Sequence, residues 1–188
     1  MSESRVSVLS TDRIPQPYYL RISGSRASSA AQKHLQKSTN TCKYSRMRVA
    51  RQIAALPVRH NHDGLVVVLL VTSRQTGRWV IPKGWPWPDR EEWVSAAEEA
   101  REEAGVLGTM HPTRIGSYKY DKRQPTGVLP VHVTVFRLEV TAELATWPEC
   151  DQRKRCWFSR TEAAAAVEEP ELQNLIMQLQ NGTGTYLR

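Results

Sequence analysis

A chain of 188 residues is long enough for one domain with a full hydrophobic core and too short for two comfortable ones. Three cysteines without a CxxC pair or a zinc-ligand spacing, and no apolar run near the roughly 20 residues of a membrane span, exclude a disulfide framework, a structural zinc site and a transmembrane protein. The formal net charge of +7 would favour a nucleic-acid partner if it were spread over the chain, but most of it lies in the first 46 residues.

Residues 1–46 carry eight basic and two acidic side chains, are rich in serine and show no sustained hydrophobic period. We predict a basic, poorly packed N-terminal extension here and a single folded domain over residues 47–188. Three interpretations of the extension stay open. It is an adventitious addition before a natural start at Met47, a basic arm that touches nucleic acid or another polyanion, or an Arg- and Ser-rich presequence of the transit type.

Three strands are predicted after Met47. Residues 51–59 and 65–73 are strand-like, and the Asp63-Gly64 pair between them is a hairpin signal. A third, short strand over residues 78–82 ends at its proline. The domain therefore begins with antiparallel strands.

A helix is predicted next, over about residues 90–104, after the loop KGWPWPD. Asp89 is the expected N-cap, with Glu92 three residues later as in a capping box. Gly105 stands where a left-handed C-cap glycine is expected.

The remaining elements alternate less regularly. Strands are predicted at residues 113–120, 128–140 and 155–159, and closing helices at residues 161–167 and 170–180. Strands in the middle with helices around them predict an α/β fold in which a mixed sheet lies between helices.

The predicted first helix carries four carboxylates in two turns, at Glu98, Glu99, Glu102 and Glu103. Like charges three or four positions apart repel each other, so something should compensate. Glu99, Glu102 and Glu103 share one helix face, and three carboxylates are the oxygen ligands that Mg²⁺ prefers. The alternative, from this cluster alone, is a solvated face with arginines as counter-charges.

Residues 84–106 resemble the Nudix box of the Nudix hydrolases, whose pattern is G-x5-E-x7-R-E-U-x-E-E-x-G-U, with U an apolar residue. The spacing between the two glycines is reproduced without a gap. The matching positions are Gly84, Glu99, Ala100, Glu102, Glu103, Gly105 and Val106. The resemblance implies the Nudix-type α/β/α sandwich with a mixed β-sheet between helices.

Two positions depart from the pattern. Arg90 stands where the box has its first glutamate, with Glu91 one place later, and Glu98 stands where the box has its arginine. In the family that arginine orients carboxylates, so its replacement bears on metal geometry. Arg101 is a candidate for the missing charge, and Glu91 for the missing carboxylate.

A second resemblance extends over about residues 48–179, to the diphosphoinositol polyphosphate phosphohydrolase group of Nudix enzymes and its bacterial relatives. It rests on WVIPKGWP and on a W-x-E segment followed by a basic stretch and W-F-x-x-x-E-A. The residues at those places are Trp147, Glu149, Arg153, Lys154, Arg155, Trp157, Phe158, Glu162 and Ala163. Lys83 replaces an additional glycine of the animal enzymes.

The family resemblance implies hydrolysis of a phosphoanhydride by water, a reaction that depends on neutralising the diphosphate and positioning the water. It implies metal ligation of Mg²⁺, with Mn²⁺ as an alternative, by Glu99, Glu102 and Glu103. Glu102 or Glu103 is the expected catalytic general base. For substrate binding we expect Lys83, Gly84 and Trp85 beside the box. Lys119 and Arg123 are expected on a basic loop.

Two functions follow from these residues. The first is a Mg-dependent pyrophosphohydrolase acting on a nucleoside diphosphate derivative, a dinucleoside polyphosphate or an inositol pyrophosphate. The second is a noncatalytic Nudix-fold protein that binds a phospholigand or RNA. The expected partner is a small diphosphate, nucleic acid is expected only through residues 1–46, and monomer and homodimer both stay open. We expect a cytoplasmic location, by resemblance to bacterial relatives and for want of an export signal.

Overall fold

The computed structural model of the protein describes residues 49–125 and 127–180. In chain order its strands are β1 (Ala50–His60), β2 (Val66–Thr72), β3 (Trp79–Val80), β4 (Lys83–Gly84), β5 (Val106–Gln124), β6 (Gly127–Glu143) and β7 (Arg155–Ser159). Its helices are α1 (Glu92–Ala104), α2 (Arg160–Ala166) and α3 (Pro170–Met177). The strands form one mixed sheet with helices packed on both faces, so the predicted fold class is confirmed.

Strand β1 organises the sheet, whose order is β3-β2-β1-β6-β5. It runs parallel to β6 and antiparallel to β2, which makes the sheet mixed. The pairing with β2 covers only one end of β1, and β4 pairs with the other end through Ile53 and Ala54. The Ala55 N–H also donates to the Pro82 carbonyl at 3.0 Å. Because β4 pairs with this end of β1 in place of β2, Lys83 and Gly84 lie beside α1.

Two hydrophobic clusters hold the helices to the sheet. On one face, α2 and α3 pack through Ala163, Leu172 and Ile176. On the other, α1 packs through Ala96, Ala100 and Ala104, all fully buried, although the last two flank the carboxylates. Alanine side chains let the helix axis approach the sheet closely, and so α1 is a fixed support for the acidic residues beside them.

The two ends of α1 were predicted unequally well. Gly105 adopts the left-handed conformation (φ 63°) and donates to the Arg101 carbonyl, as a C-cap glycine should. The predicted N-cap Asp89 is wrong, because the N-cap is Glu91. A turn closed by Arg90 N–H to Trp87 carbonyl (3.4 Å) keeps Asp89 in the loop, so the helix starts later.

The hairpin of β5 and β6 is the largest departure from the prediction. Strand β5 begins directly after Gly105 and is far longer than the predicted residues 113–120. It pairs with β6 along its whole length through register irregularities between Leu107 and Gly116. Pro112 lies within that irregular stretch on the outer strand, where a missing N–H is tolerated.

Residues 147–155, which we call the capping segment, close over the C-terminal end of α1. The Trp147 indole N–H donates to the Glu103 carbonyl at 3.2 Å, and the Glu149 N–H to the Glu102 carbonyl at 3.2 Å. Arg155 donates to the Ala104 carbonyl at 2.8 Å. Carbonyls at a helix end lack partners within the helix, so these contacts satisfy them and tie the segment to α1.

None of the helices in residues 49–125 and 127–180 is both long enough and apolar enough to cross a membrane. The predicted basic extension, residues 1–46, lies outside the described part of the chain, and the domain boundary at Met47 stays a prediction.

Candidate active site

A cleft of about 930 Å³ lies where α1, β4, the tip of the β5–β6 hairpin and the capping segment meet. Most of its lining residues are polar, and they carry both charges. The acidic groups are Glu99, Glu102, Glu103, Glu149, Glu168, Glu169 and Asp121. The basic groups are Arg74, Arg78, Lys83, Lys119, Lys122, Arg123 and Arg153. Every residue predicted as a metal ligand or substrate contact lines this one cleft.

Glu99 differs from the other carboxylates of α1 in having no partner among residues 49–125 and 127–180. It accepts no hydrogen bond from any described residue, and its carboxylate lies against the backbone of Gly84, where an added Cβ would overlap it. Burial raises the pKa of Glu99 to about 8, with the nearby charges of Glu103 and Glu102 adding to the effect. The glycine that opens the box therefore makes room for a carboxylate in need of a cation.

Glu103 is the most deeply buried of the three, at 6% exposed. One of its oxygens, Oε1, accepts from Arg153, and the other, Oε2, accepts from the Lys83 N–H at 3.1 Å. Burial raises the pKa of Glu103, while the charges of Lys83 and Arg153 act against that rise. Its orientation is thus fixed from two sides.

Glu102 is the more open carboxylate. Its residual contact is a long one of 3.5 Å from Arg101, whose guanidinium is engaged chiefly by Glu98 at 2.6 Å. Partial burial and the charge of Glu98 raise the pKa of Glu102. Arg101 therefore pairs mainly with Glu98, on the side of α1 away from the cleft, and does not hold the carboxylates of the cleft in position.

The departure at the first glutamate of the box also falls outside the cleft. Arg90 stacks over the Trp87 ring at 4.1 Å, and Glu91 caps the start of α1 without lining the cleft. Neither supplies the missing first glutamate at the site. Glu149 of the capping segment does bring a fourth carboxylate to it, and its charge raises the pKa values of Glu99, Glu102 and Glu103.

The donor set fits a hard divalent cation in chemistry. Several carboxylates repel each other in one cleft, and no basic group of the described residues contacts Glu99. A bound Mg²⁺ or Mn²⁺ would provide that counter-charge. As the side chains stand, no three acidic, histidine or cysteine groups of the described residues converge closely enough to hold a metal ion. Metal ligation by Glu99, Glu102 and Glu103 therefore stays a prediction.

The predicted binding residues next to the box occupy the floor and one side of the cleft. Lys83 is held against Tyr120, with its ammonium 5.7 Å from the ring centroid, and burial lowers the pKa of that ammonium. Trp85 is exposed at the cleft, and Lys122 lies 5.2 Å from its ring. Trp87, by contrast, is not among the lining residues and packs on Arg90.

Lys119 and Arg123 are both exposed and line the cleft near the tip of the hairpin. The predicted basic loop is wrong, because β5 stays paired with β6 as far as Gln124 and both residues lie on that strand. No described residue forms an ion pair or hydrogen bond with either side chain. Both cations are free to meet an anionic ligand.

Sequence reasoning missed several lining residues. Arg74 lies in the turn after β2 and contacts Glu149 at 3.1 Å, and Arg78 pairs with Glu169 at 2.7 Å. Arg153 was noticed only as part of a basic stretch. No local signal marks these residues, because each reaches the cleft through a contact with a residue more than 45 positions away or through the fold of a turn.

The family profile of the NUDIX domain matches residues 50–179 of this chain. Nudix hydrolase 16, mitochondrial, from Arabidopsis thaliana is 31% identical over 63% of this chain and 68% of its own length. Diphosphoinositol polyphosphate phosphohydrolase 2 from Rattus norvegicus is 30% identical over 70% of each chain. Other relatives are longer than the matched region, and the match to Nudix hydrolase 13, mitochondrial, of Arabidopsis thaliana spans 50% of that protein.

Solved structures show the same fold. The C. elegans Ap4A hydrolase in a binary complex superimposes with a TM-score of 0.52 at 20% identity, over 69% of this chain and 93% of that chain. A NUDIX hydrolase from Nitrosomonas europaea does so with a TM-score of 0.52 at 17% identity, over 72% of this chain and its whole length.

Proposed function

Because the chain belongs to the Nudix hydrolase family, we propose that it is a Mg-dependent pyrophosphohydrolase that cleaves a phosphoanhydride bond in a small, highly phosphorylated molecule. The substrate classes are an inositol pyrophosphate, a dinucleoside polyphosphate or a nucleoside diphosphate derivative. Mn²⁺ is the alternative ion.

The observation that carries the proposal is the separation of charge within one cleft. Carboxylates from α1 lie beside unpaired cations of the hairpin tip and the buried ammonium of Lys83. A ligand that fits both must bring its own negative charge and a cation, which is what a metal-bound polyphosphate brings. A relative named diphosphoinositol polyphosphate phosphohydrolase supports a substrate with many phosphates.

The metal, when bound, would neutralise charge on the diphosphate and lower the pKa of a water. This chain's residues would do the rest. Lys83, Lys119 and Arg123 would hold phosphate oxygens as point charges and hydrogen-bond donors, and Trp85 would wall or stack on the non-phosphate part of the substrate. Gly84 leaves space for Glu99 beside the backbone.

Of the two candidates for general base, Glu102 is the better placed. A base must have a free lone pair that water can reach, and Glu102 is partly exposed with one long contact. Both oxygens of Glu103 already accept hydrogen bonds, which suits a ligand held in place. We assign metal ligation to Glu99, Glu102 and Glu103, and proton removal from water to Glu102.

The test is product release by the full chain from a panel of substrates, with and without Mg²⁺ or Mn²⁺. The panel holds inositol pyrophosphates, diadenosine polyphosphates, ADP-ribose and nucleoside triphosphates. A coupled pyrophosphatase separates phosphate from pyrophosphate as product, and ion-exchange chromatography detects the mononucleotides that diadenosine polyphosphates and ADP-ribose would release instead. Metal-dependent turnover of one class is the expected result and names the substrate. Folded, metal-binding protein that turns over none of them would overturn the proposal in favour of a binding protein.

The basic extension has a separate test. If residues 1–46 bind nucleic acid, affinity should fall steeply with salt and vanish on truncation to Met47, whereas hydrolysis should survive that truncation. Cytoplasmic location stays a prediction, since relatives of this chain are named as mitochondrial.

A further inference from the structure

One charged position of the Nudix box is reversed in sign in this protein. Position 98, where the resemblance places an arginine, holds a glutamate, and that glutamate is neutralised on the outer flank of α1 by Arg101. The cationic group nearest to the cleft on α1 is thus already occupied. The carboxylates of the cleft need a cation from elsewhere in the chain.

Arg153 of the capping segment lies against these carboxylates. Its side chain is only 5% exposed and contacts groups in three parts of the fold. The Nε–H donates to Glu149 Oε2 at 2.5 Å, Nη1 donates to the Thr72 carbonyl at 3.0 Å, and Nη2 donates to Glu103 Oε1. The anchor on the backbone of β2 fixes the plane of the guanidinium, so both carboxylates are held in fixed positions.

We propose that Arg153 is the positioning residue of the carboxylate cluster, which orients Glu103 toward the cleft and holds Glu149 beside it. The inference rests on the proposed function, since it assigns a role within that same site. A planar guanidinium can donate to two carboxylates at fixed angles, which an ammonium cannot. A carboxylate oxygen that accepts one hydrogen bond keeps another lone pair, so Glu103 can be oriented by Arg153 and still ligate a cation.

The second arginine of the segment shows what a purely structural role looks like. Arg155 donates to the carbonyls of Ala104, Gly105 and Leu144 and stacks over the Trp147 ring at 4.2 Å. Arg155 also pairs with Glu143 at 3.6 Å, but Glu143 does not line the cleft, so all of these contacts lie outside it. Arg153 instead contacts acidic side chains that line the cleft. Substituting one arginine or the other therefore tests orientation of the site and stability of the helix end separately.

The experiment compares Arg153→Met and Arg153→Lys with Arg155→Met as the matched control. For each folded variant we would measure the thermal midpoint, kcat, KM and, without substrate, the affinity for Mn²⁺ by calorimetry. For Arg153→Met we expect kcat and Mn²⁺ affinity to fall by about 10- to 100-fold, the range typical when a residue behind a metal ligand is lost, with KM within about threefold. Arg153→Lys should recover part of that loss.

Arg155→Met should lower the thermal midpoint and leave kcat and Mn²⁺ affinity of the folded protein near wild type. The sign of the Mn²⁺ result is decisive, because removing a mere counter-charge would make the cluster more negative and bind Mn²⁺ more tightly. Unchanged or tighter Mn²⁺ binding by Arg153→Met, or an unchanged kcat, would overturn the assignment. If Arg153→Met fails to fold, Arg153→Lys decides by the same two readouts. A wild-type protein that binds Mn²⁺ but hydrolyses nothing would count against the proposed function only.

Discussion

The C-terminal half of α1 and the tip of the β5–β6 hairpin line the same cleft, but they hold their charges differently. On α1, the carboxylates stand beside alanines packed on the sheet, and Glu103 is fixed by Arg153 and by the Lys83 N–H. At the hairpin tip, Lys119 and Arg123 are exposed and bind no described residue. The difference suggests that the helix carries the chemistry, which needs fixed geometry, and the hairpin carries binding, which tolerates adjustment.

The largest effect should come from removing charge on α1. We expect Glu102→Gln and Glu103→Gln each to lower kcat by about 100-fold or more while the far-ultraviolet circular dichroism spectrum stays native. Glu98→Gln is the matched control, because it makes the same change on the same helix, where the carboxylate pairs with Arg101 instead of lining the cleft. Near-normal turnover in both cleft variants would refute the metal-site assignment.

A smaller loss should follow from moving a carboxylate without changing its charge. In Gly84→Ala the new methyl group would overlap the Glu99 carboxylate and displace it, for which we expect about a tenfold to 100-fold fall in kcat. Gly64→Ala is the control, since Gly64 has φ 74° and no atom near its missing side chain. That variant should lose about 1 kcal/mol of stability and no activity. Equal activity in the two variants would show that Glu99 need not lie where it does.

The hairpin should respond through binding. We expect Lys119→Ala and Arg123→Ala to raise KM about 2- to 5-fold each with kcat unchanged, as up to ~1 kcal/mol per exposed charge allows, and the effect should shrink in high salt. Lys154→Ala removes the same charge from an exposed position outside the cleft and should change neither constant. A fall in kcat for the hairpin variants would contradict the division of roles between helix and hairpin.

The last effect concerns stability alone and should appear in the absence of metal. Burial raises the pKa of Glu99 to about 8, so the folded protein holds a proton there that the unfolded chain releases at a lower pH. Between those two pKa values the folded state binds more protons, and the free energy of unfolding must fall as pH rises from about 5 to 8. Urea unfolding in EDTA should show this slope, and Glu99→Gln should flatten it. Identical slopes in both proteins would place the titrating group elsewhere.

Local signals predicted the fold well where a residue acts through its own neighbours. Gly105 ends α1 as predicted, because the left-handed backbone conformation of the C-cap depends on the residue at that position alone. The predicted N-cap Asp89 failed because a turn from Trp87 to Arg90, which the two prolines beside it favour, keeps it out of the helix. The full length of β5 was missed because it depends on pairing with β6, which no local pattern encodes.

The residues of the candidate site likewise fall into those that a local pattern predicted and those that it missed. The helical period placed Glu99, Glu102 and Glu103 on one face, and the structure brings all three to the cleft. Arg153 and Glu149 were quoted within a motif but given no role, since their position depends on how the capping segment folds over α1. No sequence signal separates Arg153 from Arg155, because residues two positions apart in an extended segment point to the same side, whereas in the structure the two contact different partners.

The capping segment also has a consequence for the order of synthesis. Because Arg153 follows Glu103 by 50 positions, the ribosome delivers α1 before its counter-charge exists. During that interval α1 carries mutually repelling carboxylates, and the carbonyls at its end lack the donors of the capping segment. A nascent chain halted before residue 153 would therefore hold the whole box motif without the arginine that contacts Glu103 and Glu149.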